Sequence, residues 1–404
     1  MLTAEQESAL DSAVHAYLVS KGYSSAASSL LSESPSFSSA SSPPPPPPAS
    51  EVPLLCRKWV TVARLQKKVM ELEASLKASS SAPSAPAPSA GGRLLPVDSP
   101  TPLSCPGHAG AVTCASLHPS QTICASSSED ATVKLWDCES GDFQRTLKGH
   151  TAAVTCVCWS PDGSLLASAS SDLTVKLWSP TDDYACKRTL RGHEHVVSSC
   201  LFLSAGSLAS ASRDGTVKLW SPASGFVLHE FRREGWVRCL AATHDGGVMA
   251  AGDAGGEIAV YDVAAKAERA CVSAHETVVE AVAFPPLPPA SSTPASPTLL
   301  ASASRDKTVK LWSLASGSLS LSPLHVFSCH ENWVRALSFH RSGAYLLSVS
   351  DDRSLRVLDV KNKRALRTFE DAHPHFVQAL AVGVRTPVVV TGGVDNLLKF
   401  WKCR

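Results

Sequence analysis

The stretch GHTAAVTCVCWSPDGSLLASASSDLTVKLW, residues 149–178, decides how the rest of the chain is read. Val154-Thr155-Cys156-Val157-Cys158-Trp159 is rich in strand formers and stops at the turn Pro161-Asp162-Gly163. Leu165 to Ser170 makes a second strand, and Thr174-Val175-Lys176-Leu177-Trp178 alternates as a third. Cys186 to Leu190 supplies an outer strand before Gly192-His193 opens the next such stretch. A small sheet of this kind has an apolar face on each side, so it needs a neighbour on each side.

The unit recurs. A Gly-His or x-His dipeptide opens it at His108, His150, His193, His275, His330 and His373. An apolar residue followed by Trp or its substitute closes it at Trp136, Trp178, Trp220, Tyr261, Trp312, Leu358 and Trp401. Successive closures lie 42, 42, 41, 51, 46 and 43 residues apart, which makes seven units. A period of about 40–45 with Gly-His near the start and a Trp-Asp-like pair at the end is the WD-repeat signature, with four strands per blade. The expected fold is an all-β seven-bladed WD-repeat β-propeller over 98–404, whose ring closure removes exposed sheet edges. Pro102–Cys105, just before His108, is placed to give the last blade its outer strand and latch the ring.

An Asp stands six residues before the closing position at Asp130, Asp172, Asp214, Asp306, Asp352 and Asp395. With the opening His and a strand Ser it predicts a buried His–Ser–Asp–Trp hydrogen-bond chain. On paper the set resembles a hydrolase triad. Six copies, one per blade, instead mark a structural device that satisfies buried polar groups. No GxSxG elbow accompanies it, so no catalytic, cofactor or metal residue is assigned. Repeat four departs from the pattern: it lacks the Gly-His, has Gly255 at the Asp position, and closes on Tyr261. That blade is expected to be the least rigid.

Composition narrows the function classes. The 404 residues carry 37 basic and 36 acidic side chains, a formal charge of +1, which argues against a dedicated nucleic-acid or anionic-membrane binder. No apolar run approaches about 18 residues, and Met1–Val14 lacks the basic and apolar regions of a secretory signal. Thirteen Cys with no CxxC pair read as reduced thiols in a cytosolic protein.

Prolines mark the boundaries: 15 of the 28 lie between Ser32 and Pro106, and six more between Pro285 and Thr298. Pro/Ser/Ala tracts of this kind cannot offset their ordering entropy and read as linkers, here 33–53 and 78–97, with a low-complexity insertion at 285–298. They isolate two short helical pieces. In 3–32, Leu10, Val14, Tyr17 and Leu18 share one helical face, Lys21-Gly22-Tyr23 ends the helix, and Ser24 to Leu31 forms a second. Two such helices hold too little core to stand alone, which favours pairing with a second chain. In 54–77, Leu55, Val62, Val69 and Leu76 occupy heptad a positions, with Lys58, Leu65 and Leu72 at d. A short coil becomes plausible when a dimerising hairpin raises its effective concentration.

The blade-end loops carry the candidate binding residues. Three places after the opening His stand Ala111, Ala153, Val196, Val278, Trp333 and Phe376, and Trp236 takes that place in repeat four. Trp236-Val237-Arg238 and Trp333-Val334-Arg335 thus present aromatic–Arg pairs, which is hot-spot chemistry. Arg213 and Arg305 precede the structural Asp, and Arg353 follows Asp352. A cationic, aromatic-lined rim suits a negatively charged protein surface.

These residues have a known counterpart. Leu10 to Tyr23 resembles the lissencephaly-homology (LisH) dimerisation motif, and Arg64-Leu65-Gln66-Lys67-Lys68-Val69-Met70-Glu71-Leu72-Glu73 is similar to the short coiled coil of the lissencephaly, or nuclear distribution, protein family. Gly141 to His150 and Asn332-Trp333-Val334-Arg335 match in the propeller, and Pro285–Thr298 falls where that family has an insertion. The resemblance implies a non-enzymatic homodimer, without cofactor, that binds the motor domain of the cytoplasmic dynein heavy chain through one propeller face. It further implies work with dynactin and a coiled-coil nuclear-distribution partner in nuclear migration, spindle positioning and transport. The implied location is the cytoplasm and cytoskeleton, including the microtubule-organising centre and spindle. The family's motor-binding face matches Arg213, Arg238, Arg305, Trp333 and Arg353; Trp236 is added from the residue pattern. Members also serve as the non-catalytic subunit of a platelet-activating-factor acetylhydrolase. Other LisH/WD scaffolds, such as ubiquitin-ligase receptors or transcription-complex and katanin-type subunits, usually carry a further domain before the propeller. Leu18→Arg combined with Leu72→Arg is expected to give a monomer with an intact propeller; a dimer in sedimentation would rule out the assigned dimerisation residues Leu10, Val14, Tyr17, Leu18, Leu65, Val69 and Leu72.

Overall fold

Short alternating segments punctuated by Gly, Asp and Asn turns become strands when a second sheet is available to cover each face. The computed structural model describes residues 102–203, 206–286, 298–315, 318–383 and 386–403. Among them 28 strands form seven four-stranded antiparallel sheets. Residues 1–101, with the expected LisH hairpin and coil, lie outside the described residues, as does most of the 285–298 insertion. In the second blade the strands are Val154–Trp159, Leu166–Ser170, Thr174–Ser179 and Ala185–Arg191, each within one residue of the sequence reading. The first strand of every blade lies against the first strand of the next, and the seventh meets the first, so the blades close a ring.

The latch forms as expected. Leu103–Pro106 pairs antiparallel with Leu397–Lys402, with Leu103 opposite Phe400 and Cys105 opposite Leu398. It completes a blade whose other strands are Val377–Val382 and Val388–Gly393. Cys105 is buried with Trp136, Cys138, Leu398 and Phe400, so the latch is held by side chains as well as by its ladder.

The core lies between blades. Leu166–Ser170 is buried along its whole length, and its two faces look to different neighbours. Leu166 packs in a cluster with Val133, Leu135 and Trp178, while Ala167 and Ala169 pack against Val197, Cys200 and Leu208 of the third blade. Small residues on that strand let adjacent sheets approach. Gly392 takes this to its limit, since a Cβ there would stand 2.5 Å from Cγ1 of Val112 in the first blade.

The expected polar chain is present. In the second blade Trp178 Nε1 donates to Ser168 Oγ at 2.8 Å, Ser168 Oγ lies 2.8 Å from His150 Nε2, and His150 Nδ1 lies 2.7 Å from Asp172. With the indole as donor, the single Ser proton goes to Nε2, and Nδ1–H donates to the carboxylate, which fixes a neutral imidazole. Asp172 Oδ1 also accepts from the amide and hydroxyl of Thr174. The first, third and fifth blades repeat the full set. The sixth keeps His330, Ser348 and Asp352 with Leu358 at the Trp position, and in the seventh Thr391 replaces the Ser between His373 and Trp401.

The fourth blade has a substitute for this network. Arg233 stands where the other blades have His, and its Nη2 meets Asp253 at 2.9 Å and Glu257 at 2.5 Å. Asp253 also caps the following turn by accepting from the amides of Gly255 and Glu257. Sequence reading noticed the missing His and Asp but not the guanidinium that replaces them.

Two outcomes follow for stability. Ser302→Ala leaves His275 Nε2 and Trp312 Nε1 buried without a partner, and is expected to cost about 2–4 kcal/mol in denaturant unfolding. The pH dependence has a definite sign. Burial holds the imidazoles of His108, His150 and His193 below their usual 6.5. Burial opposes the charge of Asp130, but hydrogen bonds from Thr132, His108 and the Ala109 amide outweigh it and bring the carboxyl from 3.8 down to about 2. Both shifts mean that the unfolded chain binds protons first on acidification. Stability should therefore be full above the usual His value of 6.5, fall below it, and fall again between 3.8 and about 2; a melting temperature flat through the acid range would contradict this.

Candidate functional site

One backbone hydrogen bond, repeated in every blade, builds the rim. The residue three places after the opening His accepts, through its carbonyl, from the amide of the residue before the structural Asp. The pairs are Ala111/Glu129, Ala153/Ser171, Val196/Arg213, Trp236/Ala254, Val278/Arg305, Trp333/Asp351 and Phe376/Val394, all between 2.8 and 3.2 Å. Trp236 thus occupies the position read from the sequence, although its blade has no His. The position after the structural Asp is left-handed in all seven blades: Ala131, Leu173, Gly215, Gly256, Lys307, Arg353 and Asn396 have φ between 63° and 87°. Arg353 is therefore the counterpart of Lys307, and Asp351 that of Arg305.

A second repeated feature aims the next side chain. In each blade the register shifts on the first strand, skipping Thr113, Thr155, Ser198, Arg238, Glu280, Arg335 and Gln378 in turn. A bulge leaves its extra residue unpaired and re-aims the side chain. In the first three blades that side chain reaches the next blade as a hydroxyl donor. Thr113 bonds the Val154 carbonyl at 2.6 Å, Thr155 the Val197 carbonyl at 2.5 Å, and Ser198 the Val237 carbonyl. From the fourth to the sixth blade the same positions carry alternating charge.

Glu280 is the centre of that charged run. Its side chain is only 7% exposed; Oε2 accepts from Arg238 at 2.8 Å, while Oε1 accepts from Arg305 at 2.5 Å and faces Arg335 at 3.5 Å. Burial raises the Glu280 carboxyl, but the guanidinium charges of Arg238 and Arg305 outweigh this and hold it below its usual value. Arg335 is also gripped by Asp351, with Nη2 2.8 Å from Oδ2 and Nε 2.9 Å from Oδ1. The Arg305 and Arg335 guanidiniums lie 4.5 and 4.8 Å from the Trp333 ring centre.

Trp236 is 52% exposed and Trp333 37% exposed, so both indoles face solvent. Arg213 lies 5.6 Å from the centre of the Trp236 ring, and the His195 ring lies 6.2 Å from it. Among the described residues no ion pair holds Arg213. Its burial, with Arg238 close by, lowers its hold on its proton.

The structure thus brings together five of the six sequence-assigned residues: Arg213, Trp236, Arg238, Arg305 and Trp333. Arg353 lies in the turn that holds Asp351, closed by its amide on the Ser350 carbonyl, and is half exposed and 3.3 Å from the exposed Asp371. Sequence reading missed Glu280 and Asp351, and named Arg335 only within the aromatic–Arg pair with Trp333. A usable signal existed, because Arg238, Glu280 and Arg335 occupy one position of three consecutive repeats with alternating sign. Chemically, the cluster offers two exposed indoles and four guanidiniums against two carboxylates, a surface for carboxylate-bearing protein.

Comparison with known proteins agrees with this architecture. The WD domain, G-beta repeat model matches residues 101–137, 141–179, 184–221, 268–313 and 321–359, and the LisH model matches 8–34. The nuclear distribution protein PAC1 of Coccidioides posadasii is 37% identical over 415 residues, covering 94% of this chain and 86% of its own. Nuclear distribution protein nudF of Emericella nidulans is 37% identical over 356 residues, 81% of this chain and 78% of its own. The lissencephaly-1 homolog of Caenorhabditis briggsae is 41% identical over 358 residues, 87% of this chain and 86% of its own.

Proposed function

The chain belongs to the family of nuclear distribution proteins and lissencephaly-1 homologs, and on that footing we propose that it is a non-catalytic regulator of cytoplasmic dynein. It binds the motor domain through the end of the ring that carries Arg213, Trp236, Arg238, Arg305 and Trp333, with Arg353 as an outlying contact. The observation that carries this reading is the guanidinium–indole cluster at Trp333. Aromatic and Arg side chains, placed so that they desolvate together, supply most of the energy of a protein interface. The guanidinium forks left facing solvent pair carboxylates of the partner.

A non-catalytic role is supported by the burial of the His–Asp sets. The six imidazoles are 0–1% exposed and committed to structural hydrogen bonds, so a substrate has no route to them. In this reading residues 3–32 and 54–77 join two chains, and the second ring binds at high effective concentration once the first has docked. The protein then works in the cytoplasm and on the cytoskeleton, at the microtubule-organising centre and spindle. There it acts with dynactin and a coiled-coil nuclear-distribution partner in nuclear migration and transport.

Titration calorimetry with a recombinant dynein motor domain tests the proposal. Arg305→Ala with Trp333→Ala is expected to cost roughly 2–4 kcal/mol of binding while the circular dichroism spectrum stays that of the wild type. A folded, dimeric wild type that did not bind would overturn the proposal.

A further inference from the structure

We propose that Glu280 is the positioning residue of this face, holding Arg238, Arg305 and Arg335, and through them Trp333, in the geometry that meets a partner; the inference rests on the reading just given. Its two oxygens divide the labour: Oε2 serves Arg238 of the fourth blade, while Oε1 serves Arg305 of its own blade and faces Arg335 of the sixth. Glu280 also sits at the bulge of the fifth blade, between the bulge residues Arg238 and Arg335 of its neighbours. One buried carboxylate therefore spans three blades at the place where the first three blades use a neutral hydroxyl each.

The guanidiniums it holds are the ones that cover the indole. Arg305 and Arg335 stack on Trp333, and Arg305 has its Nε on Glu280. Long Arg side chains lose considerable rotamer freedom when fixed. A carboxylate that fixes them before the partner arrives removes that cost from binding. Glu280 itself, nine-tenths buried, contributes little direct contact.

This role makes a prediction opposite in sign to that of charge alone. Glu280→Gln leaves four guanidiniums against one carboxylate, so a face that worked only by positive charge would bind an acidic partner more tightly. A Gln amide, however, accepts at one end and donates at the other. It can keep Arg238 or Arg305 but not both. Positioning therefore predicts weaker binding, by about tenfold, the scale of one displaced hot-spot contact.

The experiment combines calorimetry on the recombinant dynein motor domain with 19F spectra of the full chain labelled with fluorotryptophan, the Trp333 resonance being assigned through Trp333→Phe. In Glu280→Gln the Trp333 signal is expected to shift or broaden while the signals of the buried Trp136, Trp178 and Trp220 hold, and affinity falls. Glu280→Asp, which keeps the charge but loses reach, is expected to lie between. It also carries the test if the Gln variant does not fold. An unmoved Trp333 signal, or affinity unchanged or improved in a folded variant, overturns the inference. A wild type that failed to bind the motor domain would instead overturn the proposed function, and the Trp333 signal would still decide for or against Glu280 as the residue that orders the cluster.

Discussion

Pairing of Leu103–Pro106 with Leu397–Lys402 joins the two ends of the ring, and holds buried the faces that the last and first blades turn to each other. A blade covers its apolar faces only against its neighbours, so an open ring would leave two such faces in water. At about 25 cal/mol per Å2 that exposure outweighs any single hydrogen bond in the structure. The contact is also among the longest in sequence, which places it late in folding, after loop-closure entropy has been met by local hairpins. The alternation within each blade, the small residues on the second strand and the latch are three expressions of one requirement: a sheet with two apolar faces must be enclosed.

Polar groups inside that enclosure are handled by repetition. Each His–Ser–Asp–Trp chain gives every buried donor an acceptor, and the Asp also caps the adjoining turn. The substitutions in the sixth and seventh blades obey the same accounting. Leu358 removes the indole donor together with its need for an acceptor, while Thr391 keeps the hydroxyl that Trp401 requires. Arg233 brings more donors than a His and is accordingly met by several carboxylates, Asp253 and Glu257 closest. The fourth blade therefore meets buried polarity in a different way and only in part, since Arg233 Nε and the Tyr261 hydroxyl are buried without a hydrogen-bond partner among the described residues.

The strands, the number of blades and the latch were legible in the sequence because each depends on local alternation and on spacing. Trp236 was legible for a related reason: Trp236-Val237-Arg238 repeats Trp333-Val334-Arg335, and the backbone bond that seats both needs no His. Glu280 was not legible on its own. A single Glu in a strand reads as a solvated side chain, and its meaning lies in residues 42 and 25 positions away that only the ring brings to it. The partner of Arg353 was likewise not legible: its left-handed turn position sets it 3.3 Å from Asp371, 18 residues away.

The bulge residues have one more consequence. A ring of seven nearly equivalent blades offers a partner seven nearly equivalent rotational settings, and shape alone distinguishes them poorly. Neutral hydroxyls on one arc and an Arg–Glu–Arg run on the opposite one break that degeneracy. The backbone stays close to symmetric while the electrostatics do not, so the end of the ring behaves like a dial with one marked position. A charged surface brought to that end would find one setting favoured over the other six.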